Sequence, residues 1–317
     1  MAALTRHPDG VFAIDTLYVR PQLDAAHLIA HRGRAAYVDT GTARSVPSLL
    51  AALQVAGVSA ADVDYVFLTH VHLDHAGGAG QLMQALPNAK AVLHPRGAPH
   101  MIDPAALVAG TIAVYGVSAF RQLYREIVPI AADRILVTSD GQRLGLAGRE
   151  FEFLHTPGHA MHHQAIRDLH TGCVFSGDTF GISYREFDVG GKAFIFPTTT
   201  PTQFDPQQLR ASIARIAALR PEALYLTHYS RVTDVPRLAA ELTELVSGFE
   251  ALAMANVTIA NATARQQAIR STMRDLLFAA LRRHGCRQTD AELEQLLAGD
   301  LDLNSAGLVS WLGRRRQ

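Results

Sequence analysis

The sequence predicts an α/β fold that is followed by a helical extension, and three observations support this class. Short β-rich runs alternate with stretches of helical spacing through the first half of the chain. Histidine or aspartate residues follow the ends of several apolar strands. From about residue 235 onward the spacing becomes helical throughout. We therefore expect an α/β domain over residues 1–246 and a helical C-terminal extension over residues 247–317.

The first elements indicate a sheet with a helix beside it. Residues 11–19 are rich in β-forming side chains, and residues 26–29 and 35–38 predict a hairpin that turns at 31–34. Residues 45–55 have helical spacing of leucine and valine, and Gly57 is suited to end that helix. The chain then continues in alternation, with predicted elements as follows: strand 64–69, helix 80–86 and strand 91–94.

Residues 104–120 contain no charged side chain, which raises the question of a membrane span. Glycine, threonine and serine dilute the segment, so we predict a pair of buried or pocket-lining helical pieces instead. A helix is expected next, over residues 121–127. Three short runs separated by Asp-Gly and Ala-Gly then predict a β-meander with strands 135–138, 142–146 and 150–155.

The last third of the chain is predicted to be helical. Asp205-Pro206 marks the start of an amphipathic helix that ends near residue 219. In the extension, breaks are expected at Gly299 and Asn304. The predicted helices beyond His228 cover residues 235–246, 263–283, 290–297 and 305–312.

Composition limits the classes of partner. The 29 basic and 29 acidic residues give a formal net charge of zero, which offers no electrostatic reason to expect nucleic acid or an anionic membrane. Two cysteines far apart in sequence provide no disulfide framework, and Met1–Gly10 lacks the apolar run of a signal peptide. We expect a cytoplasmic protein that acts on a small molecule.

The most informative stretch is His70-Val71-His72-Leu73-Asp74-His75, directly after the apolar run 65–68. Residues two apart on an extended chain point the same way, so His70 and His72 can bind one ion. The turn that follows can present Asp74 and His75 to a second ion. Fifteen histidines in the chain make an isolated pair unremarkable, but this string at the end of a buried strand indicates half of a dinuclear metal site.

Three further pieces share this arrangement of an apolar strand followed by a candidate ligand. They contain His159 in His155-Thr156-Pro157-Gly158-His159, Asp178 in Gly177-Asp178-Thr179, and His228 after strand 223–226. Strand ends in a layered α/β fold meet along one edge, so distance in sequence does not prevent these residues from forming one cluster. For the neighbouring His155, His162 and His163 we predict solvated or hydrogen-bonded side chains.

Together these four pieces resemble the metallo-β-lactamase superfamily over roughly residues 11–246, near its lactonase and glyoxalase II branch. The resemblance implies an αββα sandwich with a dinuclear site along one edge. By analogy, His70, His72 and His159 hold the first metal, while Asp74, His75 and His228 hold the second. Asp178 would bridge both ions, and Asp39 resembles the carboxylate that supports the ligands from behind.

The donor set of imidazoles and carboxylates without thiolate suits two divalent ions, zinc first, with manganese or iron as alternatives. Ions that share a carboxylate also share a water, which becomes a hydroxide nucleophile near neutral pH. Asp74 would hold or receive its proton. Tyr184 lies shortly after Asp178, where lactonases of this superfamily have a tyrosine that can bind an oxyanion, although the spacing differs.

The loop 179–202 is rich in aromatic residues, namely Phe180, Tyr184, Phe187, Phe194 and Phe196. With the uncharged segment 104–120 it is predicted either to wall an apolar acyl pocket or to form a satellite core or homodimer contact.

The predicted function is hydrolysis of an ester, lactone or thioester. A phosphodiesterase or β-lactam hydrolase is the nearest alternative. A non-hydrolytic diiron protein that binds or reduces oxygen ranks lower, because members of that type usually carry glutamate where this chain has His72. A one-iron persulfide dioxygenase and a pseudoenzyme rank lowest, because the second ligand set is complete.

Overall fold

A computed structural model describes residues 3–199 and 202–315. Within these ranges the chain forms thirteen strands and ten α-helices. The strands are β1 (Leu4–Arg6), β2 (Val11–Asp15), β3 (Ala25–His31), β4 (Arg34–Val38), β5 (Val63–Phe67), β6 (Lys90–Leu93), β7 (Ile135–Val137), β8 (Gln142–Leu146), β9 (Arg149–His155), β10 (Gln164–Asp168), β11 (Val174–Phe175), β12 (Leu224–Leu226) and β13 (Ser230–Val232). The helices are α1 (Val46–Ala56), α2 (Leu73–Ala76), α3 (Ala79–Ala85), α4 (Ala98–Ile102), α5 (Ala105–Tyr115), α6 (Val117–Leu123), α7 (Pro206–Ala218), α8 (Val235–Ala255), α9 (Ala262–His284) and α10 (Asp290–Arg314).

The chain divides into two compact units. The first contains Met1–His155, His162–Gly177 and Pro221–Val232, and with them all the described strands. The second contains Thr156–Met161, Asp178–Arg220 and Thr233–Gln317, and with them α7 to α10. The boundary predicted from the sequence, between residues 246 and 247, falls inside α8 and stays a prediction.

The first sheet has seven strands in the order β1 to β7. Strands β1 to β4 pair antiparallel, and β4 to β7 pair parallel. The hairpin between β3 and β4 turns at Arg32 and Gly33, as the sequence predicted. Because β4, β5 and β6 run parallel, their carboxyl ends meet at one edge of the sheet, and this edge carries Asp39 and the histidine string.

The second sheet has six strands in the order β13-β12-β11-β10-β9-β8. Only β11 and β12 pair in parallel. The predicted β-meander is wrong in one strand: β7 pairs with β6 in the first sheet, whereas β8, β9 and β10 form the antiparallel run. The turn at Asp140-Gly141 therefore carries the chain from one sheet to the other, which local turn signals do not reveal.

One apolar core lies between the two sheets. Phe67 of the first sheet contacts Phe151 and Phe153 of the second, with ring centroids 5.3 Å and 5.2 Å apart. All three side chains are fully buried. Removing such a ring from a core costs about 3–5 kcal/mol, so this contact fixes the spacing of the sheets. A second core, between the outer face of the first sheet and α1 and α3, includes Leu49, Leu53 and Leu82.

The uncharged segment forms α5 and α6, which meet at 114°. The predicted helix over residues 121–127 is wrong, because α6 ends at Leu123. The predicted pair of helical pieces is confirmed. Burial is wrong for α5, which has no buried residue, while the pocket-lining alternative stays a prediction. Among the described residues, no single helix has the length and apolarity of a membrane span, and only this bent pair reaches them jointly.

In the second unit, α10 is one continuous helix, so the predicted break at Gly299 and Asn304 is wrong. Asn304 is buried, and its side-chain oxygen accepts from the Thr199 amide at 2.5 Å while its amide donates to the Pro197 carbonyl at 3.3 Å. The polar residue therefore ties a loop to the helix without ending it. At the N-terminus of α7, Asp205 accepts from the Gln208 amide at 2.8 Å, which confirms the predicted start of that helix.

Candidate metal centre

The histidine string lies between β5 and α3 in the first unit. His70 leaves the strand, and α2 begins at Leu73. The Nε2 atom of His70 lies 2.9 Å from the Nδ1 atom of His72, so the two imidazoles face one another as the alternation predicted. His70 also contacts His75 with ring centroids 4.0 Å apart. The string therefore forms one group of imidazoles.

Asp74, His75 and His228 form a cluster in the same unit, with ligand atoms all within 4.8 Å of one another. The Asp74 Oδ2 atom lies 3.8 Å from His75 Nε2 and 3.7 Å from His228 Nε2. These separations are too long for hydrogen bonds. They are close to the roughly 3.4 Å expected between two ligands that hold one ion by bonds of about 2.1 Å in tetrahedral geometry.

The imidazoles of His75 and His228 are anchored from behind. His75 Nδ1 lies 3.1 Å from Asp39 Oδ2, and His228 Nδ1 lies 3.0 Å from the Leu23 carbonyl oxygen. Both acceptors require a proton on Nδ1, which makes Nε2 the nitrogen whose lone pair can bind a metal. The same atom, Nε2, faces Asp74 in both residues.

Asp39 is the support that the sequence anticipated. It follows β4 and is buried. Its Oδ1 accepts from the Thr69 amide at 2.8 Å, and its Oδ2 accepts from the hydroxyls of Thr69 at 2.8 Å and Thr227 at 3.1 Å, besides His75. One carboxylate therefore joins the carboxyl ends of β4, β5 and β12 and orients a candidate ligand.

His159 and Asp178 form a pair in the second unit. His159 Nε2 lies 3.4 Å from Asp178 Oδ2, and its Nδ1 lies 3.3 Å from the Thr198 carbonyl oxygen. The same arrangement of an anchored Nδ1 and an Nε2 beside a carboxylate thus recurs. Gly158 before it has φ +129°, and a Cβ there would lie 2.3 Å from the Leu209 backbone nitrogen. Only glycine fits, which explains why the turn is built as Pro-Gly.

The residues fit divalent metal ions by the chemistry of their donors. Neutral imidazoles and carboxylates without thiolate are ligands of zinc, manganese and iron alike. In the first unit, the cluster of Asp74, His75 and His228 has the composition and spacing of a metal site.

The predicted catalytic tyrosine has a different partner. Tyr184 is buried in the second unit, and its hydroxyl donates to the Asp300 carboxylate of α10 at 3.1 Å. A role in binding an oxyanion stays a prediction. Of the alternatives for loop 179–202, the buried aromatic residues support a satellite core: Tyr184 and Phe196 have ring centroids 5.6 Å apart, and Phe187 and Phe194 6.1 Å. Thr200 and Pro201 lie outside the described residues.

The neighbouring histidines are buried or paired rather than solvated. His163 is fully buried, and His162 Nδ1 accepts from the Val71 amide at 3.5 Å. The His155 ring packs against His94, with centroids 4.1 Å apart. His155 Nε2 also lies 3.4 Å from the Thr138 hydroxyl. The hydrogen-bonded alternative is thus the one observed for both His155 and His162.

Sequence reasoning missed Asp24, which precedes β3. Burial raises the pKa of this carboxyl group to about 7; the charges of Asp74 and Asp39 act in the same direction, and those of His228 and His75 oppose it. Its Oδ2 accepts from the Thr16 hydroxyl at 3.2 Å. A lone aspartate before a strand carries no sequence signal that distinguishes it from a surface residue.

Two mixed sheets with flanking helices, and clusters of histidine and aspartate side chains at strand ends, define the class of α/β proteins with a candidate metal site. The chain belongs to the metallo-beta-lactamase superfamily, whose family profile matches residues 19–228. Its described residues include candidate metal ligands of the kind that the resemblance implied.

Curated relatives include hydroxyacylglutathione hydrolases. The chain is 33% identical to that of Xanthomonas euvesicatoria over 198 residues, which are 62% of this chain and 56% of the relative. It is 29% identical to that of Aeromonas hydrophila over 203 residues, 63% of this chain and 59% of the relative. The match thus spans less than two thirds of the length of these enzymes.

Solved structures support the fold. A metallo-beta-lactamase family protein from Thermus thermophilus superposes with a TM-score of 0.64 at 21% identity, covering 97% of this chain and 93% of that one. An archaeal superfamily protein from Sulfolobus tokodaii gives a TM-score of 0.61 at 21% identity, covering 75% and 86%. The second match omits a quarter of this chain.

Proposed function

We propose that this chain hydrolyses a small-molecule ester, lactone or thioester with the help of two divalent metal ions. The carrying observation is that His75 and His228 are held through Nδ1 while each Nε2 faces the Asp74 carboxylate at ligand-to-ligand distance. The curated relatives named hydroxyacylglutathione hydrolase favour the thioester within this group.

In this proposal the ligands divide as the family resemblance implies. Asp74, His75 and His228 would hold one ion. His70, His72 and His159 would hold the other, and Asp178 would be a ligand shared by the two. The tied tautomers of His75, His228 and His159 support this division, since each presents Nε2 as a ligand. We place zinc first, with manganese or iron as alternatives.

When bound, the two ions would lower the pKa of a shared water to about 7 and polarise the acyl carbonyl. Asp74 is the ligand suited to proton handling, because its side chain remains 23% exposed while His75 and Asp39 are buried. With Oδ2 as the ligand atom, the other carboxylate oxygen, Oδ1, would hold or receive the proton of the attacking water. Buried His70 and His75 keep bulk water away from the opposite side of the site.

The test is elemental analysis of protein purified without chelator, followed by a panel of thioesters, lactones, esters, phosphodiesters and a β-lactam. We expect about two zinc or manganese ions per chain and turnover of an acyl substrate that chelation abolishes and metal restores. Turnover of phosphodiesters or β-lactams alone would contradict the acyl assignment. Two iron ions with an oxygen-sensitive spectrum and no hydrolysis would favour the diiron alternative.

We also propose a cytoplasmic location and a small-molecule substrate without a nucleic-acid or membrane partner. The zero formal net charge and the two buried, free cysteines support this view. A homodimer is the proposed partner state of the chain itself, and size-exclusion chromatography at several concentrations tests for it.

A further inference from the structure

Helix α5 is apolar on every side and yet has no buried residue. A helix that is hydrophobic all round is normally buried in a core. Between Pro104 and Phe120 the chain has no charged side chain, and Val114 and Val117 are 42% and 50% exposed. This surface is therefore apolar and open to solvent.

The inner side of α5 packs next to the metal-binding string. Leu73, which lies between His72 and Asp74, forms a buried cluster with Phe120, Tyr124 and Ile127. Residues from α5 pack against this cluster, namely Leu107, Val108, Ile112 and Tyr115. The exposed apolar helix thus rests on the segment that carries the candidate ligands.

A second segment extends the same surface. The hydroxyls of Tyr18 and Tyr124 lie 2.7 Å apart, which attaches the loop after β2 to the end of α6. On either side of Tyr18, Leu17 and Val19 are 50% and 67% exposed. Tyr18 also packs against the buried cluster that contains Leu73, so this contact lies close to the metal-binding string.

We propose that α5, α6 and the loop around Tyr18 form an acyl platform that binds the hydrocarbon chain of a medium- or long-chain acyl substrate while its carbonyl lies at the metal site. The proposal rests on the proposed function and names its substrate class. The platform is defined by the exposed residues Leu17, Val19, Val114 and Val117.

An acyl chain fits this surface better than a second copy of the chain or a lipid bilayer does. The 11 residues of α5 span about 16 Å, which matches roughly a dozen methylene groups built from carbon–carbon bonds of about 1.5 Å. Helix α5 offers no charge to a headgroup or an acidic partner, and the exposed Arg121 lies at the far end of α6. The inner edge of the platform is continuous with Leu73 of the ligand string. A second copy of the chain and a lipid bilayer become outcomes of the test.

The test compares kcat/KM for a series of thioesters of one thiol, from acetyl to dodecanoyl, below their micelle concentrations and with the metal-loaded full chain. If each methylene is about half buried, kcat/KM should rise about twofold per methylene. Val114→Asp and Val117→Asp should each lower the ratio of the dodecanoyl to the acetyl rate at least fivefold. Val114→Ser, which adds no charge, should lower it less.

The matched control is Val55→Asp, which changes another exposed valine, near the end of α1, and should keep the wild-type ratio. The platform is refuted if Val114→Asp and Val55→Asp have the same chain-length dependence. It is also refuted if Val114→Asp changes only the oligomeric state, or only turnover of vesicle-bound substrate. If no acyl substrate is cleaved, the proposed function fails, and binding of a fluorescent fatty acid, weakened by Val114→Asp but not by Val55→Asp, still tests the platform.

Discussion

Replacing Asp39 by asparagine should change the protonation of a metal ligand without changing its shape. The amide oxygen can keep the contact with the Thr69 amide, but the amide nitrogen then faces the hydroxyls of Thr69 and Thr227 and the His75 ring. The hydroxyls can rotate and accept. His75 can accept only by moving its proton from Nδ1 to Nε2, which removes the lone pair that faces Asp74.

Loss of such a supporting carboxylate typically lowers metal affinity by about 10- to 100-fold, or roughly 1.4–2.7 kcal/mol. We expect Asp39→Asn to lower the affinity for one of the two ions by this amount, and competition with a chromophoric chelator would measure the affinity. Asp168→Asn is the matched control: Asp168 is equally buried but binds Arg149. The reasoning would be refuted by unchanged affinities in Asp39→Asn, or by an equal loss of affinity in both variants.

Three further predictions concern the site and its scaffold. His228→Ala should lower the metal content from about two ions per chain to about one, as elemental analysis would reveal. Because the raised pKa of Asp24 makes deprotonation unfavourable in the folded state, the contribution of this carboxyl group to stability falls as the pH rises from about 4 through 7. Asp24→Asn should therefore raise the Tm of chelated protein, relative to the wild type, more at pH 7 than at pH 4, and parallel Tm profiles of the two proteins would contradict the assignment. Arg149 donates to Asp168 at 3.2 Å and 2.5 Å inside the fold, so Arg149→Ala should lower the free energy of unfolding in urea by about 3–5 kcal/mol. Replacing the exposed Arg143 by alanine should change the free energy of unfolding by under about 1 kcal/mol. Equal losses in the two variants would refute a larger contribution of the buried pair.

The strand ends were the most predictable part of this protein. The hairpin of β3 and β4, α1 and the position of the histidine string follow from periodicity and turn residues within about ten positions of each other. The role of Asp39 in supporting a ligand was predicted from the resemblance to the superfamily, in which a carboxylate follows this strand.

Features that depend on contacts between distant parts of the chain could not be predicted from the sequence. The choice of β6 as the partner of β7 depends on contacts more than forty residues apart, and no local signal carries it. Asparagine disfavours helix interiors, so the sequence predicts a helix break at Asn304, but in the structure its side chain binds the loop at Thr199 instead. The exposure of α5 is also invisible to hydropathy, which measures composition and not packing.

The acceptors that hold the Nδ1 atoms of the candidate ligands differ in how well they tolerate substitution. His228 and His159 are held by the main-chain oxygens of Leu23 and Thr198, which every amino acid possesses. Substitutions at these two positions can therefore accumulate without loss of the anchor, provided that the loop keeps its path. The anchor of His75 is a side chain, that of Asp39. A substitution at Asp39 therefore removes the anchor, whereas substitutions at Leu23 and Thr198 leave the anchoring carbonyl oxygen in place.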